Sequence, residues 1–205
     1  MNKGLYTRGY LPHWDFKNAT QAVTFRLDDA VPRHLVKERK QDLEEIENNE
    51  IREKELRRLI AKYEDAGHGS CILRDYDCAE IVKDELLKNH EISYKLLDWC
   101  VMPNHVHVMV RTLNETPMHQ ILNSWKGASS RKMNELLGRA GKLWQRESYD
   151  RLVRDGDHHY ACRRYIRRNP VKAGLCEKPE DWKFSSANGA PPSGGVSPEQ
   201  TLHAA

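Results

Sequence analysis

This sequence of 205 residues lacks any long apolar run, and this absence is its most informative one. No segment approaches the ~18 consecutive apolar residues that indicate a membrane-spanning helix. The N-terminal segment, MNKGLYTRGYLPHWD, also lacks the apolar stretch of a secretory signal peptide. We therefore expect a cytoplasmic protein with no membrane attachment.

Paired cysteines are absent as well. The five cysteines, at positions 71, 78, 100, 162 and 176, are odd in number and form no Cys-x-x-Cys pair. This pattern does not indicate a disulfide framework, and it predicts plain reduced thiols.

The net charge is small, only +3, but it is unevenly distributed. Residues 126–183 contain 15 Lys/Arg and 8 Asp/Glu, so the rest of the chain carries a net negative charge. A basic C-terminal half suggests a polyanionic partner, for which nucleic acid is the usual candidate. By itself, such an excess is equally typical of a solvated surface.

Hydrophobic periodicity predicts an alternation of strands and helices. Strands are expected at 21–27, 92–102, 105–112 and near 148–153, and helices at 33–64, 76–89, 118–138 and 158–174. The last helix should end near Pro170, because proline lacks an N–H donor and restricts the residue before it. Residues 1–184 are interpreted as one domain, and residues 185–205, rich in Ser, Gly, Ala and Pro, as a disordered tail. The order of elements, with a hairpin in the middle, indicates an α+β fold, namely a ferredoxin-like βαββαβ sandwich with an antiparallel sheet.

A charged helical insertion is predicted at residues 33–66, directly after the first strand of this fold. Of residues 33–64, 18 are charged. Their apolar residues recur at near-helical spacing, which fits one long helix or two helices interrupted at Asn48-Asn49. The high charge favours a solvated projection or a partner-contact arm over a role in an active site.

Two histidines lie two residues apart in the predicted strand MPNHVHVMV. Because side chains alternate along a strand, His105 and His107 should share one face. Imidazole is the commonest side-chain ligand for transition metals, so the two rings could hold one ion together with a third ligand. Two separately hydrogen-bonded histidines are the alternative interpretation.

A second group of polar residues lies in the predicted last helix, in RRYIRRNP. Tyr165 and Asn169 are four residues apart and should therefore share a helix face. Arginines surround them, as a phosphate-binding site would require; these are Arg163, Arg164, Arg167 and Arg168. The alternative is a core tyrosine beside a helix end whose dipole the arginines complement.

Four ordered motifs, PNHVHVMV, WQRESYD, YIRRNPVKAGL and PEDWKFSSA, resemble those of the single-tyrosine HUH transposases, named for a His–hydrophobic–His strand. More narrowly, they resemble the REP-associated tyrosine transposases of bacteria. The resemblance extends from about Thr24 to Ala187, and GHGSCILRD resembles a subgroup of that family. It implies that the HUH motif lies on a central strand and the tyrosine on a C-terminal helix.

The resemblance implies an enzyme that cleaves and rejoins DNA. His105, His107 and Asn169 would hold a divalent metal, Mg²⁺ or Mn²⁺, that polarises and orients the scissile phosphate. Tyr165 would be the nucleophile, forming a 5′-phosphotyrosine link and a free 3′-hydroxyl.

The implied substrate is single-stranded DNA that folds into hairpins, as repetitive extragenic palindromes do. Basic side chains would contact its phosphates; the candidates are Lys126, Arg146, Arg163, Arg164, Arg167, Arg168 and Lys172. Trp125 and Trp144 could stack on bases or belong to the core. Monomer and homodimer both remain open, and a cytoplasmic protein of this kind would associate with the nucleoid when bound to DNA.

Other interpretations of the sequence remain. The chain could be a domesticated transposase that binds hairpins without cutting them. A metal hydrolase is less well supported, because no carboxylate or third histidine lies close to the histidine pair. Tyr160 is a competing tyrosine, but Arg164, which is not a metal ligand, lies four residues after it. Tyr149, in the predicted last strand, is interpreted as a residue that packs in the fold or contacts DNA.

Overall fold

The computed structural model describes residues 4–7, 12–15, 18–43 and 45–189. Its strands are β1 (Gly4–Thr7), β2 (Pro12–Asp15), β3 (Thr20–Arg26), β4 (Tyr94–Val101), β5 (His105–Thr112) and β6 (Tyr149–Leu152). Its α-helices are α1 (Arg33–Asp42), α2 (Asn49–Asp65), α3 (Tyr76–Leu87), α4 (Met118–Leu136) and α5 (Gly156–Lys172). Short 3₁₀ turns lie at Ile72–Arg74, Pro179–Asp181 and Ser186–Asn188.

Four strands form an antiparallel sheet in the order β4-β5-β3-β6. With β3 as the first strand of the unit, this is the strand order of a ferredoxin-like βαββαβ fold, so the predicted fold class is confirmed. The strand that carries the two histidines is central. Its register places His107 opposite Thr24 and His105 opposite Arg26 on β3. The strands β1 and β2 pair separately as an antiparallel hairpin that the sequence pattern did not predict.

The two faces of the sheet are covered by different helices. Val106, Val108 and Val110 of β5 belong to the main core, to which α3 and α4 contribute their apolar faces. Met109 points to the other face, where it belongs to a smaller cluster with Ile166 of α5. Since side chains alternate, the two histidines face the same side as Met109 and thus the side of α5.

Both tryptophans considered as possible base-stacking residues lie in the main core. Trp125 and Trp144 are 2% and 3% exposed. The ring of Trp144 contacts Phe25 edge-on, with centroids 4.9 Å apart, and its indole Nε1 donates to the Ser129 hydroxyl at 3.0 Å. Stacking on DNA bases is therefore not available to either ring in this structure.

The charged insertion consists of two helices, in agreement with one of the two predicted alternatives. Helix α1 ends at Asp42 and α2 begins at Asn49, and the Asn48 side chain accepts from the Ile51 amide at 3.2 Å. Asparagine is a favoured residue for capping a helix N-terminus in this way. A small apolar cluster formed by Val31, Leu56 and Ile60 packs at the base of the insertion.

Two observed boundaries lie within a few residues of the predicted ones. Helix α5 passes through Pro170 and ends at Lys172. The proline removes one helical hydrogen bond, but it is buried and the face of the helix that packs on the sheet remains intact. The packed domain also extends beyond residue 184, since Ser185 and Ser186 are buried. Ser185 forms an isolated antiparallel β-bridge with Cys100 of β4. The rest of the predicted tail, residues 190–205, lies outside the described residues.

The structure bears on two of the predicted absences. Within the described ranges, no helix is both long and apolar enough to cross a membrane. The five cysteines are free thiols.

Candidate functional site

The centre of the site is the pair of histidines on β5. Their Nε2 atoms are 2.9 Å apart, and the ring planes are inclined at 77°. His105 is 0% exposed and His107 is 3% exposed. The prediction that the two rings share a face is therefore confirmed, and they converge on one point rather than lying apart as separate structural groups.

Each histidine is oriented through its outer nitrogen. His107 Nδ1 lies 2.8 Å from the Thr24 hydroxyl across the β3–β5 register. His105 Nδ1 lies 2.7 Å from Asn104 Oδ1, and the Asn104 amide donates to the His68 carbonyl at 2.8 Å. Histidines that bind metals are typically held by such outer hydrogen bonds.

Both imidazoles are neutral at physiological pH. Burial lowers the pKa of His107 to about 3, with smaller contributions from the positive charges of Lys172 and Arg26. Burial is also the largest cause that lowers the pKa of His105, well below its ordinary value, followed by His107 and Arg26. Neutral imidazoles keep a lone pair that can bind a cation.

Tyr165 lies against this pair. Helix α5 packs on the sheet through a buried stripe that includes Ile166 and Pro170. At 100° per residue, Tyr165 and Asn169 lie together on one flank of this stripe. The Tyr165 ring meets the His107 ring edge-on with centroids 5.2 Å apart, so the helix brings the tyrosine to the histidine pair within one chain.

Asn169 completes this side of the site. Its side chain is 1% exposed, and neither amide atom makes a well-formed hydrogen bond within the described residues. The amide nevertheless faces the Tyr165 hydroxyl, and this contact partly opposes the desolvation that raises the pKa of that phenol. A buried amide without a well-formed partner requires an explanation, and ligation of an ion is one. The described residues contain no cluster of three or more His, Cys, Asp or Glu side chains that could bind a metal.

The opposite flank of α5 is held by two arginines. Arg163 Nε and Arg167 Nε lie 2.7 and 2.5 Å from the two carboxylate oxygens of Asp98 on β4. Asp98 is 0% exposed and also accepts from the Ser186 hydroxyl at 3.1 Å. Two of the predicted phosphate contacts are thus ion-paired with a buried carboxylate, and this pairing fixes the rotation of the helix that carries Tyr165.

The other predicted DNA contacts differ in their surroundings. Arg146, Arg164 and Arg168 are exposed. Lys126 Nζ donates to the Arg146 carbonyl at 3.0 Å and to the Ser148 hydroxyl at 3.2 Å, and burial lowers its pKa to about 8.

Lys172 lies close to the nucleophile candidate, with its Nζ 6.0 Å from the Tyr165 ring centroid. Its ammonium forms an ion pair with Asp65. Of the predicted contacts, the exposed arginines are therefore the best placed to meet a phosphate directly. A phosphate that binds Lys172 would first have to displace the Asp65 carboxylate.

The structure adds an acidic pair that the sequence pattern did not assign to the site. Glu64 and Asp65, at the C-terminal end of α2, contact Arg26 and Lys172 respectively. The Arg26–Glu64 pair spans 2.9 Å with exposures of 2% and 5%, and burial raises the pKa of Glu64. Two acidic residues at a helix C-terminus interact unfavourably with the helix dipole. This unfavourable placement was the sequence feature from which a positively charged tertiary partner could have been predicted.

The electrostatic surroundings of Tyr165 keep it protonated. Although 42% of its surface is exposed, desolvation is the largest cause that raises its pKa above the ordinary value. The negative charges of Asp65 and Glu64 raise it further. Tyr160, by contrast, is 68% exposed, and Tyr149 lies on β6 opposite Thr24.

The described residues form a ferredoxin-like sheet that presents two convergent histidines to a tyrosine on the last helix. Residues 75–169, slightly less than half of the chain, match the family model described as "Transposase IS200 like". Over these residues the chain is similar to the IS200-like transposases.

The chain is also similar to individual proteins. A Haemophilus influenzae protein provisionally named as a REP-associated tyrosine transposase is 28% identical over 97 residues, which cover 42% of this chain and 55% of that protein. The chain thus matches about half the length of this curated relative. The solved structure of a REP-associated tyrosine transposase bound to a REP hairpin superposes with a TM-score of 0.57 at 16% identity, covering 93% of this chain and 94% of the other. A provisionally named transposase from Deinococcus radiodurans reaches a TM-score of only 0.35, with 18% identity and coverage of 80% and 96%.

Proposed function

We propose that the protein is a metal-dependent single-stranded DNA transposase and endonuclease that cleaves and rejoins DNA through a 5′-phosphotyrosine intermediate. The observation that carries this proposal is the 5.2 Å edge-on contact between the Tyr165 and His107 rings, beside the 2.9 Å approach of the two Nε2 atoms. A nucleophile candidate and a cation-binding pair thereby lie together, although 58 residues separate them in the sequence.

The residues present fit a divalent cation. Two nitrogen donors 2.9 Å apart match neighbouring positions around an octahedral ion with ligand distances of about 2.1 Å. The buried Asn169 amide, which has no well-formed hydrogen bond within the described part of the chain, supplies an oxygen for a third position. When bound by His105, His107 and Asn169, Mg²⁺ or Mn²⁺ would supply polarisation of a phosphate oxygen and leave open positions for the substrate.

Tyr165 performs the covalent step in this proposal. Its Oη attacks the phosphorus of a phosphodiester, a bond forms between Oη and phosphorus, and the bond from phosphorus to the 3′-oxygen breaks. The 3′-oxygen takes up a proton and leaves as a hydroxyl, while the phenolic proton is lost to solvent or to a base. Because the phosphodiester energy is kept in the phosphotyrosine, a 3′-hydroxyl can later reverse the step and join strands.

The substrate class is proposed from charge and from the relatives. The exposed Arg146, Arg164 and Arg168 would bind phosphates and give binding a steep salt dependence. The structural relative was solved with a REP hairpin, which supports hairpin-forming repetitive extragenic palindromes as the DNA. Since Tyr165 meets His107 of its own chain, the structure favours a site that one protomer can complete, and both monomer and homodimer remain compatible with it. Such a protein would act in the bacterial cytoplasm, at the nucleoid.

A covalent-adduct assay tests the proposal. The protein is incubated with labelled single-stranded hairpin DNA from its genomic flanks and Mn²⁺ or Mg²⁺, and then run on a denaturing gel. We expect an SDS-resistant, metal-dependent band that is lost in Tyr165→Phe and in His105→Ala and kept in the matched control Tyr160→Phe.

The other outcomes separate the alternatives. A band that survives Tyr165→Phe would assign the chemistry to another tyrosine. A gel shift without any adduct would support the domesticated, non-cleaving hairpin-binding protein. If the protein gives no gel shift and no adduct, the nucleic-acid interpretation is excluded altogether.

A further inference from the structure

Two sequence motifs, GHGSC at 67–71 and PNH at 103–105, have no role in the mechanism above beyond the ligand His105. They meet in the structure at a partly buried hydrogen bond, 2.8 Å long, from the Asn104 amide to the His68 carbonyl. From the same asparagine, Oδ1 faces His105 Nδ1 at 2.7 Å. Asn104 and His105 are both 0% exposed, so water does not compete for these groups.

We propose that Asn104, held by the His68 carbonyl, is a positioning residue that keeps the His105 proton on Nδ1 and the lone pair of Nε2 directed at the cation site. The loop at 68–70 that follows the charged insertion would thereby set the affinity of the site for its metal. This inference rests on the metal-binding part of the proposed function and names residues that act on the ligand rather than on the metal.

The donors and acceptors along this chain of hydrogen bonds can be matched in only one way. A backbone carbonyl can only accept, so the His68 oxygen requires the NH₂ group of Asn104. The amide oxygen of Asn104 must then face His105, and it too can only accept. His105 Nδ1 must therefore carry a proton and donate it, and in a neutral imidazole this leaves Nε2 unprotonated.

His107 differs, because its partner does not impose a tautomer. The Thr24 hydroxyl can donate to Nδ1 or accept from it. With the His105 tautomer fixed, the 2.9 Å approach of the two Nε2 atoms is favourable either when His107 donates its Nε2 proton or when a cation lies between them. The pair therefore consists of one fixed ligand and one adaptable ligand.

The loop that carries the His68 carbonyl is itself tightly placed. Gly69 has φ of +85°, and a Cβ added there would lie 2.6 Å from the Asp29 carbonyl oxygen. The next amide, that of Ser70, donates to the Asp29 carboxylate at 2.7 Å. The Leu73 amide donates to the Pro103 carbonyl at 3.1 Å, next to Asn104. A side chain at position 69 would have to displace the loop, and with it the His68 carbonyl.

This geometry provides a matched pair of glycine variants. Gly67 also has a positive φ, +69°, but an added Cβ would make only ordinary contacts, at 3.7 Å to Arg74 and 3.9 Å to Cys71. Both Gly67→Ala and Gly69→Ala therefore introduce backbone strain, and only Gly69→Ala collides with the backbone at Asp29. The difference between the two variants isolates displacement of the loop.

The experiment measures Mn²⁺ alone by titration calorimetry and the His105 tautomer by imidazole ¹⁵N NMR of the metal-free, full-length protein. In folded Asn104→Leu we expect Mn²⁺ affinity to fall about 10–100-fold, as for other outer-shell partners of metal ligands, and the His105 proton to be shared between the two nitrogens. Gly69→Ala should shift both readouts in the same direction, and Gly67→Ala should leave both close to wild type. A merely structural role for Asn104 would change stability but not the imidazole tautomer.

Several results would overturn the inference or separate it from the proposed function. Wild-type Mn²⁺ affinity together with an unchanged His105 tautomer in Asn104→Leu would overturn it. If that variant does not fold, equal affinity and tautomer in Gly69→Ala and Gly67→Ala would overturn it instead. If the wild-type protein binds no Mn²⁺, the metal-binding part of the proposed function fails. The metal-free NMR spectra would still show whether Asn104 fixes the His105 proton.

Discussion

Neutralising Asp98 should loosen the helix that carries Tyr165. The buried carboxylate forms ion pairs with Arg163 and Arg167 on one flank of α5, and Arg167 Nε also donates a hydrogen bond to it. Asp98→Asn keeps the size of the side chain while removing its charge. A hydrogen bond to a charged group contributes roughly 1.5–3 kcal/mol, against roughly 1 kcal/mol for a neutral one. The arginines are about a third exposed, 36% and 34%, so solvent screens part of the difference. For the Arg167 hydrogen bond and the Arg163 ion pair together we expect a loss of about 2 kcal/mol.

This loss is measurable by thermal unfolding. In a domain of this size, 1 kcal/mol corresponds to a shift in Tm of about 2–4 °C, so Asp98→Asn should lower Tm by about 4–8 °C. The matched control is Asp42→Asn, which removes the charge from an exposed ion pair with Arg39 whose partners are 57% and 56% exposed. The control should change stability by less than about 0.5 kcal/mol.

The same variant tests how α5 is positioned. If the Asp98 contact fixes the rotation of the helix, adduct formation by folded Asp98→Asn should fall by more than the fraction of unfolded protein explains. The reasoning would be refuted if Asp98→Asn and Asp42→Asn had the same Tm and the same rate of adduct formation.

Two further predictions follow from charges near the site. Burial lowers the pKa of His107 to about 3, whereas a histidine in an unfolded chain titrates near ~6.5. Between these two pH values the unfolded chain binds more protons than the folded protein. The free energy of unfolding therefore falls as the pH drops, by up to ~1.4 kcal/mol per pH unit. Urea unfolding at pH 7 and 5.5 in chelator should show this loss, and His107→Gln should reduce it; an equal pH dependence in the variant would contradict the assignment. Asp65→Asn should free Lys172 to contact a phosphate and should lower the pKa of Tyr165. We therefore expect tighter DNA binding and faster adduct formation. The plot of the logarithm of the binding constant against the logarithm of salt concentration should be steeper by about one. Unchanged binding and rate in Asp65→Asn, with Glu55→Gln as the exposed control, would exclude this effect.

Residue spacing predicted the parts of the site that are local. Period-two alternation was sufficient to place His105 and His107 on one face, and helical spacing to place Asn169 beside Tyr165. The ferredoxin-like fold also followed from the order of elements. These inferences succeed because each depends on backbone geometry within a few residues or on the sequence of strands and helices.

Spacing could not predict the partners that these residues meet. Arg163 and Arg167 were predicted as phosphate ligands from their charge, and the structure pairs them with Asp98, more than 60 residues away. The charged insertion was predicted to be a solvated projection or a partner-contact arm, and in the structure Glu64 near its end is buried against Arg26.

The sequence by itself therefore determined which side chains point the same way, because that is a property of a strand or a helix. Only the tertiary structure decided which face of the sheet α5 covers and how it is rotated. It also brought the His68 carbonyl to Asn104, 36 residues away. These contacts depend on sheet order and on helix packing between distant segments, which a local pattern of residues does not encode.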